Sequence, residues 1–226
     1  LLPVAALPHA LRQLAAASDD PRAHRLSRFA VPPAGTATRQ SAVLMAFSDG
    51  PDGPAVLLIQ RAATLRSHAG QVAFPGGSID ATDASTVSAA LREAEEEVGL
   101  DPASVAVAAE FPPLYIPVSR FVVTPVLAWW RDPHPVGPAD PAEVARVELV
   151  PIAELSDPAN RFNVPHPSGF VGPGFAARGL FVWGFTAILL AGVLELGGWA
   201  RPWDPSVTRP LPAEVGGVEP APPTLD

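Results

Sequence analysis

Between Asp83 and Leu100 the apolar residues Val87, Ala90, Leu91, Ala94 and Val98 recur in steps of three and four, the spacing of one helical face. Most apolar runs around this segment are of strand length, so the chain must lay an amphipathic helix on a sheet. Ser41 to Ser48 (SAVLMAFS) and Ala55 to Ile59 (AVLLI) flank DGPDGP, whose Asp-Gly and Gly-Pro pairs predict a hairpin loop. Gln71 to Phe74, Val105 to Ala109, Phe121 to Trp130 and Glu143 to Val150 read as further strands, and Pro151 to Leu155 as a short helix. Pro125 predicts a bulge or an edge within Phe121 to Trp130, because proline cannot donate to a sheet ladder. The layering expected is α+β, a mixed sheet with helices packed on it.

With 226 residues, 48% of them hydrophobic, the chain can fill one core but hardly two large ones. Residues 1–38 read as a Pro- and Ala-rich lead-in with one helix, Ala10 to Ala17, residues 39–204 as the domain, and 205–226 as a Pro-rich disordered tail. Gly179 to Leu194 (GLFVWGFTAILLAGVL) falls short of the roughly 20 apolar residues of a membrane span and predicts a buried helix, with no stable membrane insertion. The N-terminus lacks a basic region and is interrupted by Pro3 and Pro8, so no secretory signal is expected. The absence of cysteine excludes disulfides and thiolate metal sites and suits a cytoplasmic location. A net charge of −8 argues against nucleic acid as a partner, since that affinity rests on Lys and Arg neutralising phosphates.

On the predicted helix, Glu93, Glu96 and Glu97 share an arc centred about 125° from the apolar stripe. They should therefore crowd together on the side away from the sheet, with Asp83 as N-cap and Gly99 as the stop. Like charges so placed repel. Arg92 can shield one of them, and a divalent cation is the stronger remedy, because hard Mg²⁺ takes oxygen ligands and shares them with phosphate and water. A solvated acidic face is the alternative. Upstream, Phe74-Pro75-Gly76-Gly77 allows positive φ and close backbone approach, so that a loop carbonyl can face the carboxylates.

These residues resemble the Nudix box: Gly77, Asp83, Arg92-Glu93, Glu96-Glu97 and Gly99-Leu100 stand at its positions. The spacing from Asp83 to Arg92 is one residue longer than usual, and the first acidic residue is Asp instead of Glu. Both the longer spacing and the upstream phrase LLIQRAATLRSHAGQVAFPGG are similar to the coenzyme A pyrophosphatase branch, with Arg61, Arg66, Gly70, Phe74, Pro75, Gly76 and Gly77 at branch positions and Ile59 where Thr or Ser is common. The phrases YIPVSRFVVTPV, PAEVARVELVPIAEL and GFTAILL extend the likeness from about residue 40 to about 204.

The resemblance implies a Nudix-type α/β/α sandwich with a mixed central sheet. It implies hydrolysis of the pyrophosphate bond of coenzyme A or acyl-CoA, giving 3′,5′-ADP and 4′-phosphopantetheine products, with Mg²⁺ or Mn²⁺ on Glu93, Glu96, Glu97 and the Gly76 carbonyl. Glu143 is the candidate general base and Arg92 would hold a glutamate in place. Arg61, Arg66, His68, Gly76 and Gly77 would face the substrate. Other nucleoside diphosphate derivatives (NADH, ADP-ribose, a dinucleotide) form the alternative substrate class, and a homodimer is left open. A regulator that kept the fold and lost catalysis is a third reading, against which the complete set of glutamates with Arg92 argues.

Overall fold

A computed structural model describes residues 1–20, 23, 32–117, 119–166 and 169–212. In chain order the elements are α1 (His9–Ala16), β1 (Arg39–Gly50), β2 (Gly53–Arg61), β3 (Val72–Ala73), β4 (Gly76–Ser78), α2 (Thr86–Val98), β5 (Val105–Glu110), β6 (Leu114–Ile116), β7 (Phe121–Trp130), β8 (Val144–Pro151), α3 (Ile152–Ser156), β9 (Arg161–Pro165), β10 (Val171–Ala177), β11 (Leu180–Val182) and α4 (Gly184–Leu196). β1 and β2 pair only near their hairpin end, from Phe47↔Val56 to Gly50↔Gly53, and then splay. The short segments around Pro75 fill the fork, β3 on β2 and β4 on β1. β7 runs parallel to β1 on its other side, β5 and β6 share the far edge of β7, and β8 covers the far edge of β2.

Both faces of this mixed sheet are covered, which is why its central strands are nearly continuous apolar runs. Ala42, Leu44, Ala46, Leu57 and Ile59 pack with α2, while Met45, Phe47, Val56 and Leu58 point into the opposite core. That second core holds Leu7, Leu11 and Leu14 from the N-terminal segment, Leu189, Leu190 and Val193 from α4, and Phe175 from a second, three-stranded sheet, β11-β10-β9. The result is the expected α+β sandwich. Thr186, in the first turn of α4, donates its hydroxyl to the Val72 carbonyl at 2.8 Å and so ties the helix to the strand that leads into Gly76.

Several expectations are corrected. The Phe121 to Trp130 strand is interior, and Pro125 is tolerated because the far partner changes there from β5, ending at Glu110↔Val126, to β6, beginning at Leu114↔Val123. Gly179 to Leu194 is not one helix. Arg178 (φ 52°) and Gly179 (φ 72°) form a two-residue hairpin loop with positive φ at both positions, β11 follows, and α4 begins only at Gly184. No helix among the described residues is long and apolar enough to cross a membrane.

The lead-in is part of the core over its described residues, and the Leu2 N–H donates to the Val107 carbonyl at 2.7 Å. The first part of the tail is likewise docked: Asn163 of β9 donates to the Val207 carbonyl at 2.8 Å and accepts from the Arg209 N–H at 2.9 Å. The rest of the expected tail, 213–226, lies outside the described residues, as do 21–22 and 24–31 of the lead-in.

Leu11 is fully buried, so Leu11→Ala should leave a cavity and cost about 2–5 kcal/mol. Urea unfolding measures this; a loss below about 0.5 kcal/mol, the level of surface substitutions, would show that α1 does not belong to the core.

Candidate active site

Helix α2 is capped by Ser85, not Asp83. The Ser85 hydroxyl accepts from the Ser88 N–H at 3.1 Å and the Ser88 hydroxyl accepts from the Ser85 N–H at 2.7 Å, a reciprocal capping box. Gly99 ends the helix at φ 71°, as its position predicts. Asp83 is instead gripped by Arg92 in a bidentate pair, Nε to Oδ1 and Nη2 to Oδ2, both 3.0 Å. The same guanidinium donates to Glu93 and Glu96 through Nη1, each at 3.0 Å, and to the Ser78 carbonyl through Nη2 at 3.1 Å.

The carboxylates do not share one outward arc. The buried face of α2 consists of Ala89, Ala90, Ala94, Glu97 and Val98, rotated from the expected stripe so that Glu97 points into the protein. Side-chain exposure rises from 9% at Glu97 through 18% at Glu93 to 60% at Glu96. Alanines let the helix approach the sheet closely, and the glycines of β4 accept it. A Cβ on Gly77 would collide with the Glu93 carboxylate, and one on Gly76 with the Ala42 carbonyl of β1. The Gly76 N–H donates to Glu97 Oε2 at 2.9 Å.

Burial is the main reason that Glu97 is pushed up to about 7, with the charges of Glu93 and Glu143 adding to it; the Gly76 N–H and Arg61 oppose the shift. Burial also raises Glu93, against the pull of Arg92. Asp83 is lowered, chiefly by its hydrogen bonds from Arg92. The three carboxylates of α2 thus sit in unlike environments, and the deepest is the most reluctant to ionise.

Arg61, at the end of β2, brings Nη1 to 3.9 Å from Glu97 Oε1, while its Nε is buried without a hydrogen-bond partner. The loop after it folds back through Arg61 N–H to the Gln71 carbonyl (2.9 Å) and Gly70 N–H to the Ala62 carbonyl (3.4 Å). Arg66 and His68 are exposed on this loop; His68 takes φ 56° and bonds Gln71 Oε1 at 3.0 Å. Glu143 is exposed at the start of β8, and its main chain is fixed by the Asp140 carbonyl on one side (3.0 Å) and the Ala62 N–H on the other (2.8 Å). The site therefore joins β2, β4, α2 and the β7–β8 loop. Among the described residues no three acidic or imidazole side chains converge in a metal-binding arrangement, since Glu93 and Glu96 face Arg92 and Glu97 faces Gly76.

Two contacts had no signal in the sequence reading: the tie from Asp83 to Arg92, and the capping of the α2 carbonyls of Glu97 and Val98 by Ala139 and Gly137 N–H groups at 3.0 and 3.1 Å. The nine-residue step from Asp83 to Arg92 fits no helical rule, and the capping loop is polar and aperiodic.

A sequence model of the NUDIX domain matches residues 38–169. The chain is 46% identical over 156 residues to a protein of Cronobacter sakazakii described as an uncharacterized Nudix hydrolase NudL, covering 66% of this chain and 78% of that one. A Salmonella paratyphi B protein of the same description is 43% identical over 159 residues, 67% of this chain and 79% of its own. Among solved structures, the Nudix hydrolase RenU of M. smegmatis superposes with a TM-score of 0.52 at 21% identity, over 74% of this chain and 89% of that one, a likeness of fold. With more than half of the chain inside the domain and such relatives matched over most of their length, the protein belongs to the Nudix hydrolases and acts on the diphosphate bond of a nucleoside diphosphate derivative.

Proposed function

We propose that the chain hydrolyses the pyrophosphate bond of coenzyme A or its acyl derivatives to 3′,5′-ADP and a 4′-phosphopantetheine product, using Mg²⁺ or Mn²⁺. The observation that carries this reading is Arg61, at the end of β2, lying 3.9 Å from Glu97, with Arg66 exposed on the loop that follows. Coenzyme A carries a 3′-phosphate besides its pyrophosphate, so a substrate of this class needs more than one guanidinium, each able to bind phosphate through paired N–H donors.

The donor set fits a hard divalent ion: it is all oxygen, and it includes a buried carboxylate whose neighbours are also acidic. Glu93, Glu96 and Glu97, with the Gly76 carbonyl, would hold the ion, once Glu93 and Glu96 turn from Arg92. Such an ion lowers the pKa of bound water and polarises the phosphoryl group. Arg92 and Asp83 fix the helix face that presents Glu93 and Glu96. Arg61 and Arg66 orient the substrate anions, with His68 beside them on the same loop. Glu143 is exposed, free to take a proton from an attacking water, and is the general base in this reading.

Turnover of a panel (coenzyme A, acetyl-CoA, NADH, ADP-ribose and a dinucleoside polyphosphate) with Mg²⁺ or Mn²⁺ tests the substrate. Coenzyme A or acetyl-CoA should give the highest kcat/KM with 3′,5′-ADP as product; turnover of ADP-ribose or NADH with none of coenzyme A would assign the other nucleotide class.

Glu97→Gln should lower kcat by at least about a hundredfold while the fold is retained by circular dichroism. A near-normal rate would remove Glu97 from the reaction.

Because the folded-state value for Glu97 lies above the ordinary 4.5, this group favours folding at low pH and loses that contribution as pH rises to about 7. Above 7 the buried charge is only partly compensated, by the Gly76 N–H and Arg61, until a cation binds, and below 7 a proton competes with the cation. Mg²⁺ should therefore raise Tm more at pH 8 than at pH 6. Equal gains at both values would contradict metal binding at Glu97.

A further inference from the structure

We infer that His134 is a positioning residue for the reaction, tethering the β7–β8 loop so that this loop holds Glu97 from behind and sets Glu143 beside it. The inference rests on the roles proposed above for Glu97 and Glu143. Its geometry is independent of them.

The loop leaves β7 at Trp130 and reaches β8 at Val144. A segment this long, rich in proline and without regular pairing, needs anchors to keep one course. The first is His134. The Asp101 N–H, which can only donate, points at Nε2 at 3.1 Å, so Nε2 is the acceptor and the ring proton sits on Nδ1, where it donates to the Pro135 carbonyl at 3.1 Å. The ring also stands edge-on to Trp130, with centroids 5.3 Å apart and planes at 82°. Two hydrogen bonds and an aromatic contact thus define its orientation and tautomer.

Asp101 follows directly on the Gly99-Leu100 terminus of α2, so the tether joins the loop to the end of the helix that carries the carboxylates. Val136 then packs against the α2 core, and the Gly137 and Ala139 N–H groups take the Val98 and Glu97 carbonyls. The last carbonyls of a helix have no intrahelical partner. Here the loop supplies two of those partners, one of them on the main chain of Glu97 itself. Asp140 finishes the course: its side chain accepts from the Ala142 N–H at 2.8 Å, and its carbonyl from the Glu143 and Val144 N–H groups at 3.0 and 2.9 Å. One continuous path of contacts therefore runs from His134 to the main chains of Glu97 and Glu143, the points from which their carboxylates project.

The test compares His134→Ala, His134→Gln and Glu143→Gln with the unaltered full chain, using coenzyme A and ADP-ribose as probes with Mg²⁺, and follows amide hydrogen exchange at Asp101, Gly137 and Ala139. A Gln side-chain carbonyl can still accept from Asp101; Ala cannot. His134→Ala should lower kcat about tenfold with KM within about twofold, and should speed exchange at Gly137 and Ala139. His134→Gln should restore both. Unchanged exchange in His134→Ala, faster exchange without a fall in kcat, or failure of Gln to rescue would each overturn the inference. Normal turnover by Glu143→Gln would overturn the base assignment alone, leaving the exchange result to judge the tether.

Discussion

The site depends on one guanidinium. Arg92 sits where the β4 loop and helix α2 meet, and its donors reach Asp83 and the Ser78 carbonyl on one side and Glu93 and Glu96 on the other. Without a planar, permanently charged fork at that point, the acidic groups would push the loop from the helix. A lysine could neutralise one of them but could not span both groups with directed hydrogen bonds. The two glycines and the alanine face serve the same closeness from the opposite side, because they remove the side chains that would keep α2 away from β4.

That closeness has an electrostatic cost, concentrated on Glu97. A carboxylate displaced from water beside other carboxylates is costly to keep ionised, and the fold tolerates it with one backbone N–H and an arginine 3.9 Å away. Structures commonly accept such local disadvantage where ligands are to be bound, since a group that is poorly satisfied alone gains most from a partner. The orphaned Nε of Arg61 belongs to the same pattern: a buried donor with nothing to donate to, next to a buried acid.

Much of this could be read from the residues in order, and the exceptions have physical reasons. Helix α2 and its stop at Gly99 are local, set by apolar spacing and by one left-handed residue, and they were legible. The cap lies two residues later than expected because Asp83 and Ser85 are both good caps, and the reciprocal bonds of Ser85 with Ser88 together with the grip of Arg92 on Asp83 decide between them. The facing of Glu97 differs because the stripe Val87, Ala90, Leu91, Ala94 and Val98 leaves out Ala89, whose small side chain lets that side of the helix pack inward and turns the buried face toward Glu97. Strands β9 and β10 were missed because they contain Pro165, Gly172, Pro173 and Gly174, which normally break strands. Gly174 is there because Phe162 and Val164 of the paired strand lie over it, a fact about packing that no neighbouring residue discloses.

The shared core of α1 and α4 has a consequence for how the chain comes to be folded. Leu7, Leu11 and Leu14 share one core with Leu189, Leu190 and Val193, and α1 touches α4 there. At ordinary elongation rates of 5–20 residues per second, roughly 10–40 s separate the synthesis of the two. During that interval the N-terminal leucines lack the cover that α4 gives them, and β1 waits for its parallel neighbour β7 as well. Completion of this core therefore depends on contacts of long sequence separation, the kind that slows folding.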